Sequence, residues 1–158
     1  MKVLFICYGN VARSQMAETY YNKLTNSHDA ISAGVGKEVG LRYLHPTADI
    51  IALMLEEHLD ISKNSVKPVT KTMVDNVDKV VVLCDLDDCP KYILESKKLV
   101  HIPIADPYTV TIEFARSVRD DVKHMVMKLI KSWNAVRLST SKFLINFIKT
   151  PSILRICY

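Results

Sequence analysis

The stretch CYGNVARS, residues 7–14, follows directly on the apolar run VLFI, residues 3–6. The run is too short for a helix and wholly apolar, which is typical of a central strand covered on both faces. Glycine and asparagine then indicate a tight loop, and a helical pattern begins at the arginine and serine. Because loop amides and a helix N-terminus both present positive potential, this arrangement predicts a binding site for an anion.

Cys7 and Arg13 carry the chemistry of this loop. The planar guanidinium of Arg13 can bind two oxygens of a tetrahedral oxyanion. A thiolate at the start of an electropositive cradle is stabilised by the same field, so Cys7 is a candidate nucleophile. The spacing alone also fits a buried cysteine and a surface arginine, and the strand-loop-helix context favours the site. The loop residues expected to surround the oxyanion are Tyr8, Gly9, Asn10, Val11, Ala12 and Ser14.

Two of these loop residues have more specific expected roles. Ser14 is placed to donate a hydrogen bond to the Cys7 thiolate. Asn10 is one of the few residue types other than glycine that tolerate a left-handed backbone, which a tight loop requires.

Strands alternate with helices along the rest of the chain. The β-branched run from Lys79 to Cys84 predicts a strand beside the first one. Shorter strands are predicted at 30–33 and 99–102, and helices at 14–24, 46–59, 70–77, 90–96 and from 111 onward. This order predicts a three-layer α/β/α domain with a four-stranded, mostly parallel sheet. Ligands bind such sheets beyond the carboxyl ends of the strands, where Cys7, Cys84 and Asp106 fall.

Apolar spacing predicts which helix faces pack on this sheet. In the first helix the predicted face is Ala17, Tyr20, Tyr21 and Leu24. For the helix that starts at Pro46 it is Ala48, Ile51, Ala52, Leu55 and Leu59. For the long helix, which Thr111 is expected to cap, it is Phe114, Val118, Val122, Met125, Val126, Leu129 and Trp133.

Length and charge limit the domain organisation. The 158 residues suffice for one domain with a real core. Residues from 134 onward contain four basic side chains and no acid, which accounts for the whole net charge of +4. Residues 1–133 are therefore neutral and do not indicate nucleic-acid binding. We expect a catalytic domain over 1–133 and a basic, apolar C-terminal extension over 134–158.

Apolar stretches in the chain are short. None approaches the length of a membrane span, and the apolar run at the N-terminus is too short for a signal-peptide core. A cytoplasmic location is the expectation. The extension either docks on a partner or an anionic membrane or packs on its own domain, and the second interpretation is favoured.

The segment CYGNVARSQMAE, residues 7–18, resembles the shared signature of the low-molecular-weight protein tyrosine phosphatases and of the thioredoxin-coupled arsenate reductases built on the same fold. Residues 32–34, SAG, are similar to a second shared segment, and residues 106–108, DPY, to the acid loop of the phosphatases. The resemblance covers about residues 1–131. It implies a four-stranded parallel sheet of flavodoxin-like topology with the site at the end of strand one.

The resemblance implies a phosphomonoester hydrolase that forms a phosphocysteine intermediate. Cys7 would attack phosphorus, while Arg13 and the loop amides hold the equatorial oxygens. Asp106 would protonate the leaving phenolate and then deprotonate the water that hydrolyses the intermediate. Tyr108 resembles the aromatic wall beside the substrate ring, and Tyr8 is a candidate for another. The implied substrates are phosphoproteins that carry phosphotyrosine and small aryl phosphates.

Cys84 and Cys89 make a second reaction possible at the same site. Arsenate has the shape and charge of phosphate, so the same cradle fits an arsenate reductase. In such reductases a second cysteine resolves the first, and a third closes a disulfide that thioredoxin reduces. The structural alternative is that both thiols are core residues. A phosphate-binding module without catalysis is a third class, and it would be expected to lack one of Cys7, Arg13 or Asp106.

The five histidines show no ligand spacing among themselves or with the cysteines. No metal site and no organic cofactor are therefore expected.

Overall fold

The computed structural model describes residues 1–108 and 111–148, with side chains as far as residue 136. Four parallel strands form one sheet in the order β2-β1-β3-β4. The strands are β1 Val3–Cys7, β2 Ala30–Gly34, β3 Lys79–Val82 and β4 Leu99–His101. The helices are α1 Arg13–Thr25, α2 Ala48–Leu55, α3 Lys71–Asp75, α4 Lys91–Leu94 and α5 Ile112–Ile148, and a 3₁₀ turn spans Leu86–Asp88.

The central strand β1 alternates its side chains between two cores. Val3 and Phe5 pack with α1, α2 and α5 on one face of the sheet, whereas Leu4 and Ile6 pack with α3 and α4 on the other. All five residues of β1 are buried, as predicted for a strand covered on both faces. The three-layer α/β/α prediction is confirmed.

The order of the strands determines where the loops meet. Strand β1 pairs with β2 on one side and with β3 on the other, as predicted for the β-branched run. The chain therefore leaves β1 toward one edge of the sheet and later returns to the opposite edge. A crevice for ligands forms at such a switch point. The ends of β1 and β3 lie there: Cys7 is the last residue of β1, and Cys84 lies in the loop after β3.

The helix α2 buries a different face from the predicted one. It begins at Ala48 rather than at Pro46, after a cap at Thr47. Residues 50–55 are all apolar, so no polar side chain in the sequence indicates which of them point outward. The buried residues are Ile50, Leu53 and Met54. Of the predicted face, Ala48, Ala52 and Leu55 are exposed, and Ile51 and Leu59 are half-buried.

The helix α5 follows its predicted face except at its start. The Thr111 hydroxyl accepts a hydrogen bond from the Phe114 amide at 3.3 Å, which confirms the predicted cap. Phe114 itself is exposed and Ala115 is buried in its place. In α1, Leu24 is likewise exposed, while Met16 joins the core.

The helix α5 continues to Ile148 and so crosses the predicted domain boundary between residues 133 and 134. Residues 149–158 and all side chains beyond residue 136 lie outside the described part of the chain. The division into a 1–133 domain and a 134–158 extension, and the roles considered for that extension, therefore stay predictions.

Arg119 on α5 ties that helix to α2. Its guanidinium is buried and donates to the Leu53 carbonyl at 3.2 Å and to the Glu56 carboxylate at 2.9 Å. Hydrogen bonds from Arg116, and then from Arg119, lower the pKa of Glu56 to about 2, so this acceptor stays charged at neutral pH.

We expect Arg119→Met to lower the free energy of unfolding by about 2 kcal/mol, because a buried carbonyl and a carboxylate lose a charged donor. Urea denaturation measures this loss. Arg116→Met is the matched control, since Arg116 binds the same carboxylate from an exposed position and its loss should cost clearly less. Equal losses in the two variants would show that the buried bond is not the cause.

Candidate active site

The loop after β1 wraps around the sulfur of Cys7. The Asn10 amide donates to Cys7 Sγ at 3.3 Å, and Ser14 Oγ lies 3.0 Å from the same sulfur. Asn10 has φ 54°, so it adopts the left-handed backbone expected for it. The loop thus directs a backbone amide and a hydroxyl toward one atom, which stabilises negative charge on that atom.

The Asn10 side chain holds the loop from behind. Its Nδ2 donates to Ser14 Oγ and to Ser32 Oγ, both at 2.9 Å. Its Oδ1 accepts from the Lys67 backbone amide, also at 2.9 Å. Asn10 and Ser14 are fully buried, so their side chains support the loop and do not face a ligand. Neither residue lines the cavity described below, and their place among the residues around the oxyanion stays a prediction.

Arg13 and Asp106 are brought together by the loop that follows β4. Arg13 is buried, and its Nη1 donates to the Ile104 carbonyl at 2.9 Å. Its Nη2 donates to Asp106 Oδ2 at 2.5 Å. The other oxygen, Oδ1, accepts from the Tyr108 amide at 3.1 Å, and Pro107 restricts the backbone of Asp106, the residue before it, so the carboxylate is held in place. About half of the Asp106 side chain remains exposed, so it can meet a ligand.

A cavity of about 210 Å³ opens over this loop. Cys7, Arg13 and Asp106 all line it, so the three residues singled out from the sequence share one pocket. Tyr8 and Tyr108 are half exposed at its edge. The other loop residues in its lining are Gly9, Val11 and Ala12.

The opposite wall of the cavity was not predicted. It comes from residues 36–43, after β2, and from Val66. The only signal in the sequence was the glycine content of 34–40, which indicated a loop without a function. One of these glycines, Gly36, has a structural reason: a Cβ at this position would lie 2.9 Å from Cε1 of Tyr8. The absence of a side chain at Gly36 therefore lets the Tyr8 ring pack against this wall.

Cys84 lines a second cavity of about 390 Å³, which shares Tyr8, Arg13 and Asp106 with the first. Burial raises the pKa of the Cys84 thiol to about 12, and the nearby Cys89 and Cys7 sulfurs add to the rise. Burial also raises the pKa of Cys89, against a hydrogen bond with Cys84 that lowers it. The structure thus brings the three cysteines of the redox alternative into one neighbourhood. Both Cys84 and Cys89 are protonated at neutral pH.

Among the described side chains, residues 1–108 and 111–136, no cluster of histidine, cysteine and acidic groups could hold a metal ion. In the same part of the chain no helix has an apolar stretch that could cross a bilayer.

The fold and the cavity define an α/β protein with an oxyanion loop at the carboxyl end of its central strand. The sequence profile of the low molecular weight phosphotyrosine protein phosphatases matches residues 2–138, and the chain belongs to that family. It is therefore an enzyme of this type. Its membership of the family supports cysteine-dependent phosphatase chemistry, and the family also includes arsenate reductases.

Similar proteins carry both activities in their names. The glutaredoxin arsenate reductase of Synechocystis sp. is 34% identical over 130 residues, which span 82% of this chain and 95% of that protein. A low molecular weight protein tyrosine phosphatase from T. tengcongensis is 25% identical with a TM-score of 0.71, covering 84% of this chain and 99% of its own. An arsenate reductase in the phosphate binding state is 30% identical with a TM-score of 0.69, covering 84% and 98%.

Proposed function

We propose that this chain is a cysteine-dependent phosphomonoester hydrolase that acts on aryl phosphates, including phosphotyrosine in proteins. One observation carries the proposal. The Asp106 carboxylate is bound to Arg13 at the edge of the cavity that contains Cys7. A nucleophile, an oxyanion-binding guanidinium and a proton donor within one pocket are the groups that hydrolysis of a phosphate ester requires.

In the first step, the Cys7 thiolate attacks phosphorus and the bond from phosphorus to the ester oxygen breaks. Asp106, protonated at this stage, gives its proton to the leaving oxygen. The Arg13 guanidinium, released from Asp106 toward the substrate, binds two equatorial oxygens, and the loop amides bind the developing charge.

In the second step, water attacks the phosphocysteine. Asp106 is now a carboxylate and takes a proton from that water, the phosphorus–sulfur bond breaks, and Cys7 returns as the thiolate. The cycle consumes one water and requires neither an electron donor nor a cofactor. Tyr8 and Tyr108, half exposed at the edge of the cavity, would flank the aryl ring of the substrate. The cytoplasm is the location that we propose.

Arsenate reduction is the second candidate, and it is favoured by the proximity of Cys84 and Cys89, which are close enough beside the site to shift each other's pKa. The Cys7 thiolate would bind arsenic with loss of water. Cys84 would then attack the Cys7 sulfur, arsenite would leave with the bonding electrons, and Cys89 would displace Cys7 to form the Cys84–Cys89 disulfide. Thioredoxin or glutaredoxin would reduce that disulfide. The reductase names of several relatives support this candidate.

Hydrolysis remains the leading proposal because its proton donor, Asp106, shares one cavity with Cys7 and Arg13. The high pKa of Cys84 keeps its thiol protonated at neutral pH, so the second step of the reductase would first require removal of a proton. Asp106 is already positioned at the cavity for acid–base work.

Two assays separate the candidates. We expect turnover of p-nitrophenyl phosphate without any reductant, and little oxidation of NADPH when arsenate, thioredoxin and thioredoxin reductase are supplied together. Glutathione with glutaredoxin is tested in parallel. Arsenate-dependent oxidation of NADPH that disappears in both Cys84→Ser and Cys89→Ser would overturn this ranking, since only the reductase needs these thiols as electron donors.

A further inference from the structure

The segment 64–67, between α2 and α3, lies directly behind the oxyanion loop. The Lys67 amide donates to Asn10 Oδ1 at 2.9 Å, and the Lys67 carbonyl accepts from the Gly34 amide at 3.0 Å. The sequence indicated only a polar connection here. We call residues 64–67 the backing segment, because its main chain holds both Asn10 and the end of β2.

Gln15 connects this backing segment to the loop. It lies in the first turn of α1, yet its side chain is fully buried. Its Nε2 lies 3.1 Å from the Asn10 carbonyl, 3.3 Å from Asn10 Oδ1 and 3.0 Å from the Ser65 carbonyl. Its Oε1 accepts from Asn64 Nδ2 at 3.0 Å.

The side-chain amide of Gln15 helps the loop to keep Asn10 in its left-handed conformation. Asn10 is left-handed, a conformation that asparagine tolerates better than most residues but that still costs free energy unless its surroundings hold it. Its carbonyl and its side-chain oxygen both face Gln15 Nε2, so one buried donor restrains both ends of the residue. The amide of the same residue points at Cys7 Sγ, where the oxyanion loop begins.

We propose that Gln15, held by Asn64, is a positioning residue that keeps Asn10 left-handed and so preforms the oxyanion loop. Gln15 does not line the cavity and acts only through Asn10. Loss of its donor frees the Asn10 peptide to rotate, which withdraws the Asn10 amide from the sulfur and misaligns the neighbouring amides. The ligand is a tetrahedral oxyanion in both reactions considered above, so the role concerns oxyanion binding first and turnover second.

The test uses Gln15→Leu in the full chain, with inorganic phosphate as the probe. We expect the Kd for phosphate in isothermal titration calorimetry to rise about tenfold, and kcat/KM for p-nitrophenyl phosphate to fall between about tenfold and hundredfold, the range for misplacement of a site by about 1 Å. Asn64→Ala, which removes only the group holding Gln15, should give a smaller change of about threefold in the same direction.

Asn22→Leu is the matched control. Asn22 lies on the same helix, is partly buried, and its amide makes two hydrogen bonds to the Ala30 backbone at the opposite end of the sheet. This variant should lose thermal stability comparably while its phosphate Kd stays within about twofold of the parent, since the loop is untouched.

Each outcome bears on the proposal. A phosphate Kd for Gln15→Leu within twofold of the parent overturns it, as does an equal loss in Asn22→Leu. If Gln15→Leu does not fold, Asn64→Ala decides, and an unchanged Kd there also overturns it. The inference rests on the proposed function only where the test measures kcat/KM for p-nitrophenyl phosphate. A parent enzyme that binds phosphate without hydrolysing esters would refute the hydrolase, while the change in phosphate Kd would still test Gln15.

Discussion

Replacing Cys7 by serine is expected to lower kcat for p-nitrophenyl phosphate by at least about 10⁴-fold. A serine hydroxyl in the same position stays protonated, so the loop no longer contains an anionic nucleophile. The groups that hold the oxyanion remain, because the Asn10 amide and the Arg13 guanidinium are unchanged. Inorganic phosphate should therefore bind Cys7→Ser at least as tightly as it binds the parent, which titration calorimetry measures.

This combination of lost turnover and retained binding is the informative result. Loss of both would indicate that the variant has lost the loop structure, which near-ultraviolet circular dichroism would reveal. Substantial remaining turnover would mean that Cys7 is not the attacking group. The Cys7 prediction holds for either reaction, since arsenate reduction also begins at this sulfur.

Asp106→Asn has the second large expected effect, and it depends on the leaving group. General acid catalysis contributes about 10²–10⁴-fold, so kcat/KM, which reports the step that breaks the ester bond, should fall by that factor for phenyl phosphate, whose leaving oxygen needs a proton. The fall should be much smaller for aryl phosphates with strongly acidic phenols. A series of substituted aryl phosphates measures this as a steeper dependence of log kcat/KM on the pKa of the leaving phenol.

Asp87→Asn is the matched control for this series. Asp87 lies in the exposed 3₁₀ turn after β3 and lines neither cavity. It should leave the dependence on the leaving group unchanged. A uniform loss across the whole series in Asp106→Asn would contradict the proton-donor role and would instead point to a general disturbance of Arg13, the partner of Asp106.

Local sequence was sufficient for the parts of the protein that short-range chemistry determines. A short apolar run that is bounded by turn residues or rich in β-branched residues favours a buried strand, so β1 and β3 were predicted correctly, together with the turn into α1. In α2 the buried face was predicted wrongly, because residues 50–55 are uniformly apolar and no polar residue among them marks the exposed face. Tertiary packing alone selects which of them are buried.

The site likewise contains some residues that local sequence identifies and others that it does not. Cys7 and Arg13 are recognisable because they belong to one loop whose spacing has a chemical meaning. The far wall at residues 36–43 and the amide of Gln15 were missed, since each acts through contacts with distant parts of the chain. A glutamine at the start of a helix is ordinarily a solvated residue, and only the backing segment makes it a buried one.

The bond from Arg13 to Asp106 joins positions 93 residues apart, and it has a consequence for how the enzyme gains and loses activity. Arg13 is placed by the first helix, but its partners Ile104 and Asp106 follow the last strand. Proteins open in cooperative pieces before they unfold globally. If the residues after β4 detached, Arg13 would lose Ile104 and Asp106, and catalysis would stop while the rest of the sheet stays intact. Activity in dilute denaturant should therefore decline ahead of the far-ultraviolet circular dichroism signal.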